Sequence, residues 1–153
     1  MDALSEIIVI GAGATIVLDL WSQFLKWRKV PTLNFALLGR WIGHLPKGTW
    51  FHDGVAKAAP VKGELALGWA AHYAIGIAFA AILVATCGSK PSLMQALLVG
   101  VGTVAAPLFV MQPALGAGIA SSRTPAPVRN TIKSVVNHAV FGLGLYLSAW
   151  IAS

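Results

Sequence analysis

Charge is scarce in this chain. Only 10% of its 153 residues are charged, five of them acidic, against about a quarter in an ordinary soluble domain. Mean hydropathy is +0.75 and 57% of the residues are hydrophobic. Most of the sequence must therefore avoid water, which excludes a soluble enzyme and a disordered tail. Cysteine is scarcer still. The single Cys87 closes no intrachain disulfide and supplies no cysteine zinc site by itself, which excludes a disulfide scaffold.

What remains is apolar sequence in long runs. Four stretches reach the roughly 20 helical residues a bilayer requires: Leu4–Leu25, Leu65–Ala85, Leu93–Gln112 and Ser134–Ala152. Backbone groups in hydrocarbon must bond within their own segment, so each run is expected to be a helix. The runs are continuous rather than alternating, which excludes a small β-barrel. The expected fold is an all-α membrane protein, a single transmembrane domain over residues 1–153 with four transmembrane helices.

Lys26, Arg28, Lys29, Arg40, Lys47, Lys57 and Lys62 fall between the first two runs, at about 26–63. Arg123, Arg129 and Lys133 fall at about 113–133, and only Lys90 lies between runs two and three. The positive-inside rule makes both basic loops cytoplasmic and puts both termini outside. The net charge of +6 then reads as topology and contact with anionic membrane lipids, not as nucleic-acid binding. The first run is flanked by Asp2 and Glu6 with its basic residues after it, the reverse of a signal peptide, so it is expected to stay in the mature protein. Of the six tryptophans, five fall toward the inferred cytoplasmic side, as interfacial anchors do. Ile8-Val9-Ile10-Gly11-Ala12-Gly13-Ala14 imitates a dinucleotide-binding turn. It lacks the third glycine, the following acidic residue and a βαβ context, so helix packing is the better account of its glycines.

The first cytoplasmic loop is too long for a plain linker. Between Pro31 and Pro46, Leu33, Leu37, Leu38, Trp41 and Leu45 share one side, which predicts an interfacial helix. A turn-rich piece follows with His52 beside Asp53. His44, His52 and Asp53 exceed what an anchor needs, although their spacing matches no established metal pattern.

Ionisable residues inside the spans usually face the interior of a bundle. Residues four apart share a helix face. That gives one stripe of Gly11, Thr15, Asp19 and Gln23, a second of Glu64, Gly68, His72, Gly76 and Ala80, and a third of Ser134, His138, Gly142 and Tyr146. Counted from the cytoplasmic ends, Asp19, His72 and His138 differ in depth by only a few ångströms at about 1.5 Å per residue. One carboxylate and two imidazoles suit a divalent metal, a proton relay or an anion site, and two histidines alone suit a haem. The plainer account is a polar pair that locks helix packing, worth roughly 0.6–2 kcal/mol. No metal or haem is committed by these residues. At the end of the third run, Pro107 and Pro113 are expected to break the helix, leading to Ser121, Ser122, Arg123 and Thr124 as an anion-sized set of donors.

The blocks Leu33–Asp53, Glu64–Ala80, Ala106–Pro125 and Asn137–Leu147 together resemble an uncharacterised family of small bacterial inner-membrane proteins. The resemblance implies four spans in a bacterial cytoplasmic (inner) membrane and supplies no activity. It marks Asn34, Arg40, His44, His52, Asp53, His72, Arg123 and His138 as part of the family pattern. The expected function is a small multi-pass protein with a polar site at the cytoplasmic side of its bundle, binding an ion, cofactor or anionic ligand for transport or within a membrane complex. Asp19, His72, His138, Arg40, His44, His52, Asp53 and Arg123 are its candidate ligands. The glycine-rich faces suggest a homo-oligomer or a larger complex as partner. The alternatives are a membrane-embedded enzyme acting on a lipid or anionic substrate, with histidine as acid or base, and an accessory subunit without a site of its own.

Overall fold

The structure is a computed structural model and describes residues 2–152. Residues 1 and 153, the ends of the expected domain, lie outside them. The described residues are helical with no strand. The elements are α1 (Ala3–Trp27), α2 (Phe35–His44), α3 (Glu64–Cys87), α4 (Leu93–Leu115) and α5 (Pro127–Ala152). All but α2 are long and apolar enough to cross a membrane.

Local chemistry sets most boundaries. The Asp2 carboxylate accepts the Ser5 N–H at 2.8 Å and caps α1, and that bond holds its carboxyl below the ordinary range. The Asn34 side chain caps α2 through the Ala36 N–H at 3.0 Å. Ser92 and Gln95 form a reciprocal capping box at the start of α4. Glycines with positive φ follow α3 and α4, Gly88 at 76° and Gly116 at 95°.

Two elements differ from the expectation. Helix α5 begins at Pro127 rather than near Ser134, because hydropathy reports the apolar window whereas the helix also includes the polar turns around Arg129 and Lys133. In α4 the regular helix stops at Gly102, about one turn before Pro107, and residues 103–104 form a turn before the chain becomes helical again. The helix then widens into a π-helical turn over Pro107–Met111, in which the Gln112 N–H bonds the Pro107 carbonyl five residues back. A wide turn accommodates a residue that lacks an N–H of its own without ending the helix.

Residue contacts divide the chain into two units. Unit 1 holds residues 1–32, 73–104 and 135–153. Its core is Ile10, Ala14, Ala80, Leu83, Ala96, Phe141, Leu145 and Ala149. Here the glycine stripes do their packing within the chain. A Cβ at Gly11 would overlap the Ile77 backbone, and one at Gly100 would overlap Gly142. Ile8, Ile16, Leu20, Ile82, Leu98 and Leu147 are exposed on the outer faces, the inverse of a soluble bundle.

Unit 2 holds residues 33–72 and 105–134. Helix α2 lies against the start of α3 at two glycines, since a Cβ at Gly39 would overlap the Glu64 carbonyl and one at Gly68 the Phe35 carbonyl. Leu38, Val55, Leu108 and Ala114 are its buried apolar residues, with His44 and Ser121 buried among the polar ones. The buried positions of α2 are Leu38, Gly39 and His44. Of the expected apolar side of α2, only Leu38 is therefore fully buried.

Candidate functional site

Two irregular segments of unit 2 meet and form a cleft. The stretch after α2 docks onto the end of α4 through the His52 N–H, which donates to the Ala114 carbonyl at 2.9 Å. Gly116 makes the approach possible, because a Cβ there would overlap the Gly54 amide nitrogen and crowd the His52 carbonyl. Beyond it, Ala120 (φ 49°) and Ser121 (φ 62°) hold left-handed conformations that side chains disfavour. Hydrogen bonds keep them there: Thr131 Oγ1 donates to the Ala120 carbonyl at 2.9 Å, Ser121 Oγ to Gln112 Oε1 at 3.0 Å, and Thr124 Oγ1 to the Ser121 carbonyl at 2.7 Å. Strain held in this way fixes where the chain presents Ser122 and Arg123.

The cleft has a volume of about 510 Å³ and is lined by Phe51, His52, Asp53, Pro113, Gly118, Ile119, Ser122 and Arg123. Arg123 and Asp53 face each other at 4.0 Å, both well exposed. Behind the lining, His44 Nδ1 and His52 Nε2 lie 2.9 Å apart, with ring centroids at 5.2 Å and planes 25° apart. His44 is buried, at 8% exposure. The outer nitrogen of His52, Nδ1, is buried without a hydrogen-bond partner. An unmatched buried polar atom is uncommon in a folded protein and calls for a reason.

One ring must donate to the other. In the neutral pair, a proton sits between the rings and a second sits on one outer nitrogen, either His44 Nε2 or His52 Nδ1. With one further proton both outer nitrogens carry hydrogen, so His52 Nδ1 is then a donor whichever ring holds the formal charge. A doubly charged pair would place two cations at hydrogen-bond distance, which the Coulomb term opposes strongly.

Arg40 belongs to the frame. Its Nε and Nη2 donate to the two Glu64 oxygens at 2.9 and 2.8 Å. Its Nη1 faces the carbonyls of Ala56 and Ala58, both at 3.1 Å, and of Val55 at 3.5 Å. The hydrogen-bonded carboxylate raises the guanidinium pKa further. Arg40 thus ties α2, the 55–58 turn and the start of α3 together, and its donors are directed at protein acceptors.

The remaining candidates have partners of their own. Asp19 accepts the Tyr73 hydroxyl at 3.0 Å. His72 packs its ring on Phe35 and Trp69, with centroids 4.6 and 5.9 Å away. His138 Nδ1 lies 2.8 Å from Thr103 Oγ1, and that hydroxyl donates to the Gly100 carbonyl at 2.6 Å. The single hydroxyl proton is thereby committed, which makes His138 Nδ1 the donor and leaves Nε2 with its lone pair. Among the described residues no three His, Cys, Asp or Glu side chains are grouped to hold a metal ion, so Asp19, His72 and His138 form no such set.

Of the sequence candidates, the structure brings His44, His52, Asp53 and Arg123 to one cleft. Sequence reasoning did not link the His52–Asp53 segment to the 113–123 segment. Their shared richness in glycine and proline was the available signal, and Gly54 and Gly116 are the residues that carry the contact. No curated protein and no solved structure matches this chain. A family model does match residues 8–152, and the chain belongs to that family, described as "Protein of unknown function (DUF2938)".

Proposed function

We propose that this multi-pass membrane protein binds a small oxyanion, of the phosphate, sulfate or carboxylate kind, in the unit 2 cleft. The observation that carries the reading is the buried His44–His52 pair behind a cleft that also presents Arg123 and Ser122. Arg123 supplies a planar fork suited to oxyanions, Ser122 a hydroxyl donor, and His52 a further donor when protonated. Phe51 and Ile119 give the cleft an apolar rim. No nucleophile and base are paired in it, so binding fits the residues better than catalysis.

Arg40, Lys47, Lys57, Lys62, Arg123, Arg129 and Lys133 all belong to unit 2. By the positive-inside rule the cleft then faces the cytoplasm, both termini lie outside, and α2 rests at the inner membrane surface. A bacterial inner membrane is the location that the family resemblance implies.

The test is equilibrium binding to the full chain in nanodiscs of zwitterionic lipid. Saturable binding of inorganic phosphate that Arg123→Ala weakens at least tenfold would support a soluble ligand. Competition by phosphatidic acid placed in the disc, with the same dependence on Arg123, would identify a lipid headgroup as the source of the phosphate. Absence of saturable binding for phosphate, sulfate, acetate and phosphatidic acid alike would refute the reading.

A further inference from the structure

We infer that the oxyanion enters this cleft together with one proton, which the His44–His52 pair takes up. The inference rests on the proposed function and follows from the charges around the cleft. Asp53 and Arg123 face each other across 4.0 Å and cancel to first order. On α2, one turn before His44, Arg40 is neutralised by Glu64 at the start of α3. Lys47, Lys57 and Lys62, the other charges on the connecting stretch, are exposed to solvent, where screening is strong. With the histidine pair neutral, the lining therefore carries no net charge to hold an anion. One proton on the pair makes it a cation.

The same proton fixes the character of the unmatched nitrogen. The neutral pair leaves His52 Nδ1 either a bare acceptor or a lone donor, buried without a partner in both cases. The monocation makes it a donor in every arrangement of the protons, and a donor is what an oxyanion attracts. Because the second nitrogen of each ring is held in the mutual hydrogen bond, the pair stores one proton and resists a second. Anion and proton then favour each other reciprocally, since whatever raises the affinity for one raises it for the other by the same factor.

Sulfate is the probe, because it does not itself titrate between pH 6 and 9. Calorimetric titrations of the nanodisc-held protein in two buffers of different ionisation enthalpy count the protons taken up with each sulfate. The expected result is uptake approaching one proton on the alkaline side of the pair's titration, with Kd rising about tenfold per pH unit there. Asp53→Asn removes the opposing charge at an exposed position, so it is expected to tighten sulfate binding on the alkaline side at least fivefold without removing proton uptake. The double substitution His44→Gln/His52→Gln keeps two hydrogen-bonding side chains but leaves no imidazole to hold the extra proton, and is expected to abolish uptake while leaving weak, pH-independent binding. Sulfate binding with constant Kd and no proton uptake in the wild type would overturn the inference and leave the anion site standing. No sulfate binding at any pH, in a protein that binds none of the other oxyanions either, would overturn both.

Discussion

Arg40 and Glu64, 24 residues apart in sequence, form a two-pronged ion pair with hydrogen bonds of 2.9 and 2.8 Å. Glu64 Oε2 also accepts the Val61 N–H at 2.9 Å, so one carboxylate anchors both the end of the connecting stretch and the helix that precedes it. The pair supports the cleft without lining it. Arg40→Ala and Arg40→Lys are both expected to lower the unfolding temperature, because a lysine cannot reproduce the fork or reach the three carbonyls. The double substitution Arg40→Ala/Glu64→Ala is expected to cost less than the two single losses added together, since the singles each strand a charge. Thermal unfolding in detergent compares the unsubstituted protein with both Arg40 variants, Glu64→Ala and the double variant. Additive losses would show that the two side chains act independently.

Glycine positions on the helices divide into those that carry a close approach and those that do not. Gly39→Ala forces a methyl group into the Glu64 carbonyl and is expected to destabilise by about 1–3 kcal/mol or prevent folding. Gly102, at the end of the first regular part of α4, has open space where a methyl group would sit, with no neighbouring atom within 4 Å. Gly102→Ala is therefore expected to be neutral or to stabilise by up to about 1 kcal/mol through helix propensity. Folded yield and resistance to denaturant distinguish the two. Equal behaviour of both variants would contradict the close packing of α2 on α3.

The four long helices were legible in the sequence because an apolar run of some 20 residues has few structural solutions. Their seams were legible too, as Gly11 and Gly142 fall on the small-residue stripes and both sit at backbone contacts. The cleft was not. His52 and Ala114 are bonded across 62 positions, and no periodicity links an irregular loop to the end of a distant helix. Arg40 shows the limit from the other side. Its residue type suggested an anion ligand, whereas its surroundings occupy it with Glu64 and three carbonyls.

His138 is expected to be the neutral tautomer with its proton on Nδ1. The reason is the Thr103 hydroxyl, which gives its one proton to Gly100 and can only accept from the ring. Nitrogen NMR of protein labelled at histidine reads the tautomer directly. Thr103→Val keeps the shape of the side chain but removes the acceptor, and is expected to cost roughly 1 kcal/mol while shifting the proton toward Nε2. An Nε2–H signal in the unsubstituted protein would mean that Thr103 donates to the ring instead.

The positive-inside rule gives an expected orientation in the membrane, and that orientation decides which compartment reaches the cleft. Lys57, on an exposed turn of unit 2, belongs to a loop expected inside, whereas Lys90 lies between α3 and α4 on the side expected outside. In a Cys87→Ser background, Lys90→Cys is expected to react with a membrane-impermeant maleimide on intact cells. Lys57→Cys is expected to react only after the membrane is opened. Each substitution removes one positive charge, and the 26–63 loop keeps six of its seven, so Lys57→Cys should not itself reverse the topology. The opposite labelling pattern would place the cleft, and any oxyanion that enters it with a proton, on the outer face of the membrane.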